Sequence, residues 1–375
     1  MSALKNFVKN ITLKLYNKKM KKSLVLPMYG IGDVLMTTPA IRNLKEQSDA
    51  EITYLHMFKT TRDILINNPY IDENIHFPFL EAGRLKGLRF LLGLRKKYDY
   101  SINFYPSNRS QYNIAAFVIG SPVRIGHRYT VKDLEELNCL KNKTLKEDDK
   151  LHNVEENLRL LGFLDIKEPN PYPLEIYLTD EEISFARRWL EKNAIDNKIL
   201  IGIHPGTSAF KNQYKRRWNE ASFANLIDRL SDEKKDSVFL LFGGPEEQSL
   251  KKRIVSVLHD SRKAFPVDSL SVREAAALMK KCRLFISNDA GPMHMAASVG
   301  IPIVAIFGPT NPVWVKPWGV RHKIIRLGLP CSPCFRYSPK PLTCAAKLDY
   351  ACMRDISVDL VYDACVDLLE KGDIA

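Results

Sequence analysis

Short runs of apolar residues alternate with stretches of three-to-four-residue periodicity along most of the chain, the pattern of parallel β-strands joined by helices. Ser23 to Met28 (SLVLPM) reads as a first strand and Val34 to Gln47 as the helix after it. Glu51 to Leu55 and Tyr100 to Phe104 are further strand candidates. A proline-rich NPYP break occupies 170–173, after which the alternation restarts. Lys198 to His204, Ser237 to Phe242, Arg283 to Ser287 and Pro302 to Phe307 are apolar enough to be buried on both faces, as central strands of a parallel sheet are. The pattern therefore predicts two α/β halves meeting near 170. Ligands of such sheets bind beyond the carboxyl ends of the strands, where strand order reverses.

Composition narrows this picture. With 375 residues, 45% hydrophobic and 26% charged, the chain is neither disordered nor fibrous. No apolar run is long enough to span a bilayer. Met1 to Met20 lacks the apolar core of an export signal, and the seven cysteines are odd in number, so a reducing cytoplasmic setting is expected. The net charge of +13 is unevenly spread. Residues 1–22 hold seven lysines and no acid, and Gly83 to Lys97 is a second acid-free basic stretch. Leu4, Phe7, Val8, Ile11 and Leu15 fall on one helical stripe flanked by lysines, the pattern of a helix lying on anionic lipid or packing on the first domain. Basic charge also attracts nucleic acid, but no RRM, KH or helix-turn-helix pattern accompanies it.

Four turns after strands carry candidate chemistry. Gly30 and Gly32 open the first helix and let the backbone approach an anion, with Asp33 between a capping and a catalytic role. A dinucleotide fingerprint would need glycine where Leu35 stands. His204 to Ser208 (HPGTS) offers the hydroxyls of Thr207 and Ser208 to a phosphate, and Lys215-Arg216-Arg217 could neutralise a diphosphate or be a solvated basic loop. In FGGPEE, 242–247, a glutamate could accept bonds from ribose or merely complement a helix dipole. SNDAGPMH, 287–294, ends a strand, turns and starts a small-residue helix whose N-terminus can hold a phosphate, with His294 one turn in. Cys331, Cys334, Cys344 and Cys352 have partial metal-knuckle spacing; packed thiols are the competing reading. No P-loop, H-E-x-x-H, G-x-S-x-G or Asp-x-Asp occurs.

In order and spacing, GIGDVLMTTPAIRNLK (30–45), HPGTS, RRWNEASFANLI (216–227), FGGPEE and SNDAGPMHMAASVGIPIVAIFGPTNP (287–312) resemble glycosyltransferase family 9, the ADP-heptose:lipopolysaccharide heptosyltransferases. The cysteine tail through Cys-Met-Arg-Asp-Ile at 352–356 is similar too. The resemblance implies a GT-B fold: two Rossmann-like domains facing a central cleft, with the C-terminal helix returning to the N-terminal domain. Residues 1–22 would be a basic amphipathic segment, 23–170 the acceptor domain, 171–350 the nucleotide-sugar domain and 351–375 the returning helix. By the same resemblance Asp33 is the general base and Thr207, Ser208 and Arg216 surround the donor diphosphate. Glu247 meets ribose, Leu270 packs on adenine, and Asp289, Ala290, Gly291 and His294 form the donor loop. The chain departs from the family pattern at Ala290, usually Thr or Ser, at Arg216, usually Lys, and at Asn219, usually Pro. The implied activity is inverting, metal-independent transfer of heptose from ADP-heptose to a lipid-linked lipopolysaccharide core, without a cofactor. It would take place at the cytoplasmic face of the inner membrane, with an anionic lipid surface and no nucleic acid as partner. Another nucleotide sugar or glycan acceptor is the alternative within the fold.

Overall fold

The computed structural model describes residues 21–26, 30–208, 210–336 and 340–370. The amphipathic stripe expected in 1–20 lies outside them. Among the described residues twelve strands form two six-stranded sheets, every described pairing parallel. The first contains β1 (Lys21–Val25), β2 (Ala50–His56), β3 (Glu73–His76), β4 (Tyr100–Ile102), β5 (Val123–Arg128) and β6 (Lys143–Lys146), in the order β3-β2-β1-β4-β5-β6. The second contains β7 (Ile199–His204), β8 (Ser237–Leu241), β9 (Ala264–Pro266), β10 (Leu284–Asn288), β11 (Ile303–Ile306) and β12 (His322–Ile325), in the order β12-β11-β10-β7-β8-β9. Numbered within its own half, each sheet has the doubly wound order 3-2-1-4-5-6. The two switch points therefore lie between β1 and β4 and between β7 and β10.

The seven strands expected from apolar runs are all present, their ends within three residues of the expected ones. β3, β6, β9 and β12 were not legible because sheet-edge strands bury only part of their surface; ENIH and KTLK carry no apolar run, and in β5 (VRIGHR) the charged and polar residues break it. The single helix expected over Val34–Gln47 is two, Ile31–Leu35 and Thr38–Gln47. Pro39 sits in the first turn of the second helix, where its missing N–H costs nothing. At the joint the Thr37 and Thr38 hydroxyls donate to the carbonyls of Val34 and Leu35.

Between the sheets, residues 165–179 run without regular structure. Arg42 fixes this segment by pairing with Glu175 at 2.6 Å and stacking over the Tyr172 ring at 3.8 Å. The helix Asp180–Lys192 packs on the helix Val272–Met279 of the second half. The last helix, Val358–Glu370, corrects the sequence reading. Its apolar stripe of Val361, Ala364, Cys365, Leu368 and Leu369 is buried in the second core, over β10, β11, β12 and the helix Glu220–Glu233. Through residue 370 it covers its own sheet and does not cross back to the first, because that stripe is already matched there.

Candidate active site

The carboxyl ends of the strands beside the two switch points open onto one cleft of about 480 Å³. From the first half come Gly30, Gly32, Asp33 and Arg109; from the second come Arg216, Asp289, Ala290, Gly291 and His294. β1 leads into Gly30, the N-cap of the helix Ile31–Leu35, so Asp33 stands in the first turn of that helix. β10 ends at Asn288 and Ala290 occupies the N-cap position of the helix Gly291–Ser298. The two helices pack against each other across the halves. Their approach requires glycine: a Cβ on Gly32 would lie 2.6 Å from Cδ2 of His294.

Ala290 has the extended backbone of a capping residue but no side-chain group to bond the helix start. Pro292 has no N–H and that of Met293 donates to the Ala290 carbonyl at 3.1 Å, so the Gly291 N–H is the donor at the helix start left for a ligand. His294 is buried, and its Nδ1 has no hydrogen-bond partner among the described residues. Burial, only partly opposed by Asp289, pushes its pKa down to about 4, so it is neutral at physiological pH.

Arg216 is held by two fixed acceptors and a backbone-anchored neighbour. Its Nη1 donates to Asp289 Oδ2 at 2.6 Å and to Thr310 Oγ1 at 3.1 Å, and its Nη2 to Gln213 Oε1 at 2.8 Å. Phe335 lies under its guanidinium, 5.3 Å from the ring centre. Five cations (Arg109, Lys211, Arg216, Arg336 and Lys340) face two carboxylates in this cleft. Desolvation, followed by the charge of Arg109, holds Lys211 below the usual lysine range. Such a surplus of crowded positive charge suits a multiply charged anion.

Asp33 keeps one side open to the cleft, yet loss of hydration pushes its carboxyl up to about 7. A hydrogen bond from the Gly30 backbone opposes that rise, and Asp289 across the cleft adds to it. A carboxyl poised near neutrality can accept a proton from a hydroxyl and still be ionised at working pH.

Four of the expected donor residues do not line the cleft. Thr207 is buried and its hydroxyl donates to the Gln213 carbonyl at 2.8 Å. Ser208 Oγ accepts from the Phe210 N–H at 3.2 Å. Glu247 lies beneath the HPGTS loop, with Oε2 3.1 Å from His204 Nε2 and bonded by the Gly244 N–H. Burial alone would raise its pKa; His204 and that N–H outweigh burial and hold it below the usual range. A Cβ on Gly206 would overlap this carboxylate, so glycine lets the loop pass over it. Leu270 is half-buried against the core. Sequence reasoning did not single out Arg109, Lys211, Gln213, Thr310, Phe335, Arg336 or Lys340. Lys211 and Gln213 stand only a few residues before the noted basic run; Arg109 and Arg336 carry no local signal.

The cysteines lie beside the cleft. Cys331, Cys334, Cys344 and Cys352 are free thiols lining one cavity of about 50 Å³, and Cys334 lines the main cleft as well. Among the described residues no group of three or more His, Cys, Asp or Glu is arranged to hold a metal ion.

Known proteins resemble this chain in sequence and in fold. The lipooligosaccharide heptosyltransferase 2 of Campylobacter jejuni serotype O:2 is 27% identical over 95% of this chain and 100% of its own length. The lipopolysaccharide heptosyltransferase 2 of Escherichia coli K12 is 25% identical over 82% and 88%. The crystal structure of a family 9 glycosyl transferase from Veillonella parvula superposes with a TM-score of 0.74 at 23% identity, covering 94% of this chain and 97% of that one. The Escherichia coli ADP-heptose lipopolysaccharide heptosyltransferase II gives 0.72 at 22%, covering 94% and 100%. These likenesses carry the fold, two facing α/β halves of the GT-B type. The model of glycosyltransferase family 9 (heptosyltransferase) matches residues 88–344, more than half the length, and the chain belongs to that family.

Proposed function

We propose that this glycosyltransferase moves heptose from ADP-heptose to a lipid-linked lipopolysaccharide core, with inversion and without a catalytic metal. The observation that carries this reading is Asp33, with its pKa near 7, facing the cationic helix N-terminus of Ala290 and Gly291 across one cleft. The heptosyltransferase names of the relatives support the sugar and the acceptor. Residues 23–170 would bind the acceptor and 171–350 the nucleotide sugar.

In the reaction, Asp33 takes the proton of an acceptor hydroxyl as that oxygen attacks the anomeric carbon. The bond from that carbon to the diphosphate breaks, and its electron pair leaves on the phosphate oxygen. Positive charge grows on the sugar ring and negative charge on ADP. Arg216, the Gly291 amide and the neighbouring cations stabilise the departing diphosphate, the task a divalent ion performs elsewhere. Attack opposite the leaving group in a single displacement inverts the anomeric centre. Thr207, Ser208 and Glu247 act on the donor by shaping the HPGTS loop, and Leu270 is assigned to the adenine.

The test is a panel of nucleotide sugars offered with a heptose-deficient core acceptor. Acceptor-dependent release of ADP from ADP-heptose alone is expected. Turnover of UDP- or GDP-sugars at an equal rate would overturn the donor assignment, and a retained anomeric configuration would overturn the mechanism.

A further inference from the structure

The acid-free basic stretch Gly83–Lys97 forms the helix Arg84–Gly93 and the turn after it. This helix is apolar on two faces. Gly87 and Leu91, with Leu94 beyond, bury one face against the sheet through β1 and β2 and against the helix Ser110–Ile119. Leu85, Leu88 and Leu92, spaced three and four apart, lie on another face and are 84%, 45% and 46% exposed. Leu80, just before it, is 74% exposed. The adjoining helix Ser110–Ile119 adds Ile114 and Phe117, 43% and 53% exposed. Single exposed leucines need no explanation; a stripe of them continued onto a neighbouring element does.

Around the stripe Arg84, Lys86, Arg89, Arg95, Lys96 and Lys97 are all exposed, and no acid occurs between Gly83 and Lys97. We propose that this face docks on an anionic lipid bilayer, the leucines entering the headgroup boundary and the cations meeting lipid phosphates. Charge decides the occupant. Residues 1–22 are themselves acid-free with seven lysines, so they repel this face; an anionic surface attracts both. Position agrees. Arg109, in the cleft, immediately precedes the helix that bears Phe117, about 12 Å further along at 1.5 Å per residue. A bilayer at this face thus lies beside the acceptor side of the cleft. The inference rests on the lipid-linked acceptor proposed above.

The test uses the full chain carrying Leu85→Gln, Leu88→Gln and Leu92→Gln together, none of which lines the cleft. Co-sedimentation is measured with phosphatidylglycerol-containing vesicles and with pure phosphatidylcholine vesicles. About a tenfold or greater loss of binding to the anionic vesicles is expected, while turnover of a soluble core fragment is unchanged. Arg89→Glu with Lys96→Glu should remove the preference for anionic over neutral vesicles. Undiminished sedimentation of the leucine variant overturns the proposal. So does a change of its oligomeric state in vesicle-free solution, which would make the stripe a protein interface. Failure of the heptosyltransferase reading would show separately, as no turnover of the soluble fragment by the unaltered chain.

Discussion

Asp33 shows how one residue trades stability for reactivity. A carboxyl raised to about 7 in the folded protein binds its proton more tightly there than in the unfolded chain, where it ionises near 4. Between these values the unfolded state loses a proton that the folded state keeps, so rising pH drains stability, and above about 7 the loss is complete. Asp33→Asn should therefore melt higher than the parent at pH 8, by on the order of 1 kcal/mol or more, with the difference vanishing below about pH 4. Thermal melts across that range read it; a variant less stable at pH 8 would show that Asp33 is not held against its own ionisation. Gly32 is constrained by space. The added methyl of Gly32→Ala would meet the buried His294 ring at 2.6 Å, and about 1–3 kcal/mol of overpacking should appear in melts, together with weaker ADP binding by calorimetry. A fully stable, fully binding variant would mean the two helices part at little cost.

At the scale of elements, the helix Gly291–Ser298 starts on an alanine that cannot cap it. Ala290→Ser should shift the stability of the free protein by no more than about 0.5 kcal/mol in denaturant melts, since Pro292 has no N–H to offer a serine oxygen and Met293 already donates to the carbonyl of residue 290 at 3.1 Å. A gain of about 1 kcal/mol or more would mean that the Met293 N–H turns from that carbonyl to the serine oxygen. The elements also show where sequence reasoning reaches. β7, β8, β10 and β11 are buried on both faces, so an unbroken apolar run betrays each, and the turns after β1, β7 and β10 could be found by counting from strand ends. Asp33, Arg216, Asp289, Ala290, Gly291 and His294 were legible for that reason. Arg109 and the segment bearing Phe335, Arg336 and Lys340 were not, because they enter the cleft from turns distant in sequence, with no periodicity to mark them. Glu247 was expected at the ribose; its place beneath the loop was not legible, because it depends on a buried partner 43 residues away, His204. The last helix misled because its amphipathic stripe states only that one face is buried, not against which sheet.

On the scale of the whole molecule, the site exists only while the two halves stay in register. Arg273, buried on the helix Val272–Met279, joins three segments. It pairs with Glu182 and donates to the Tyr177 carbonyl; across the halves it donates to the carbonyls of Asp63 at 3.3 Å and Ile66 at 2.9 Å. Removing one partner of such a buried network strands the others, at about 3–5 kcal/mol. Arg273→Ala should lose stability of that order and show faster amide exchange in the helix Lys59–Leu65. A loss confined to the second half, with exchange unchanged in that helix, would mean the halves are held together elsewhere.

The central claim is that a carboxylate from one half and a cationic helix start from the other act on one reacting bond. Asp33→Asn, assayed for acceptor-dependent ADP release from ADP-heptose and for ADP affinity on the same preparation, tests it most directly. Turnover should fall by about two to four orders of magnitude while ADP binds as before, and the parent's rate should rise with pH through a limb near 7 that the variant lacks. Unchanged turnover, or a loss of turnover matched by an equal loss of ADP affinity, would contradict the account.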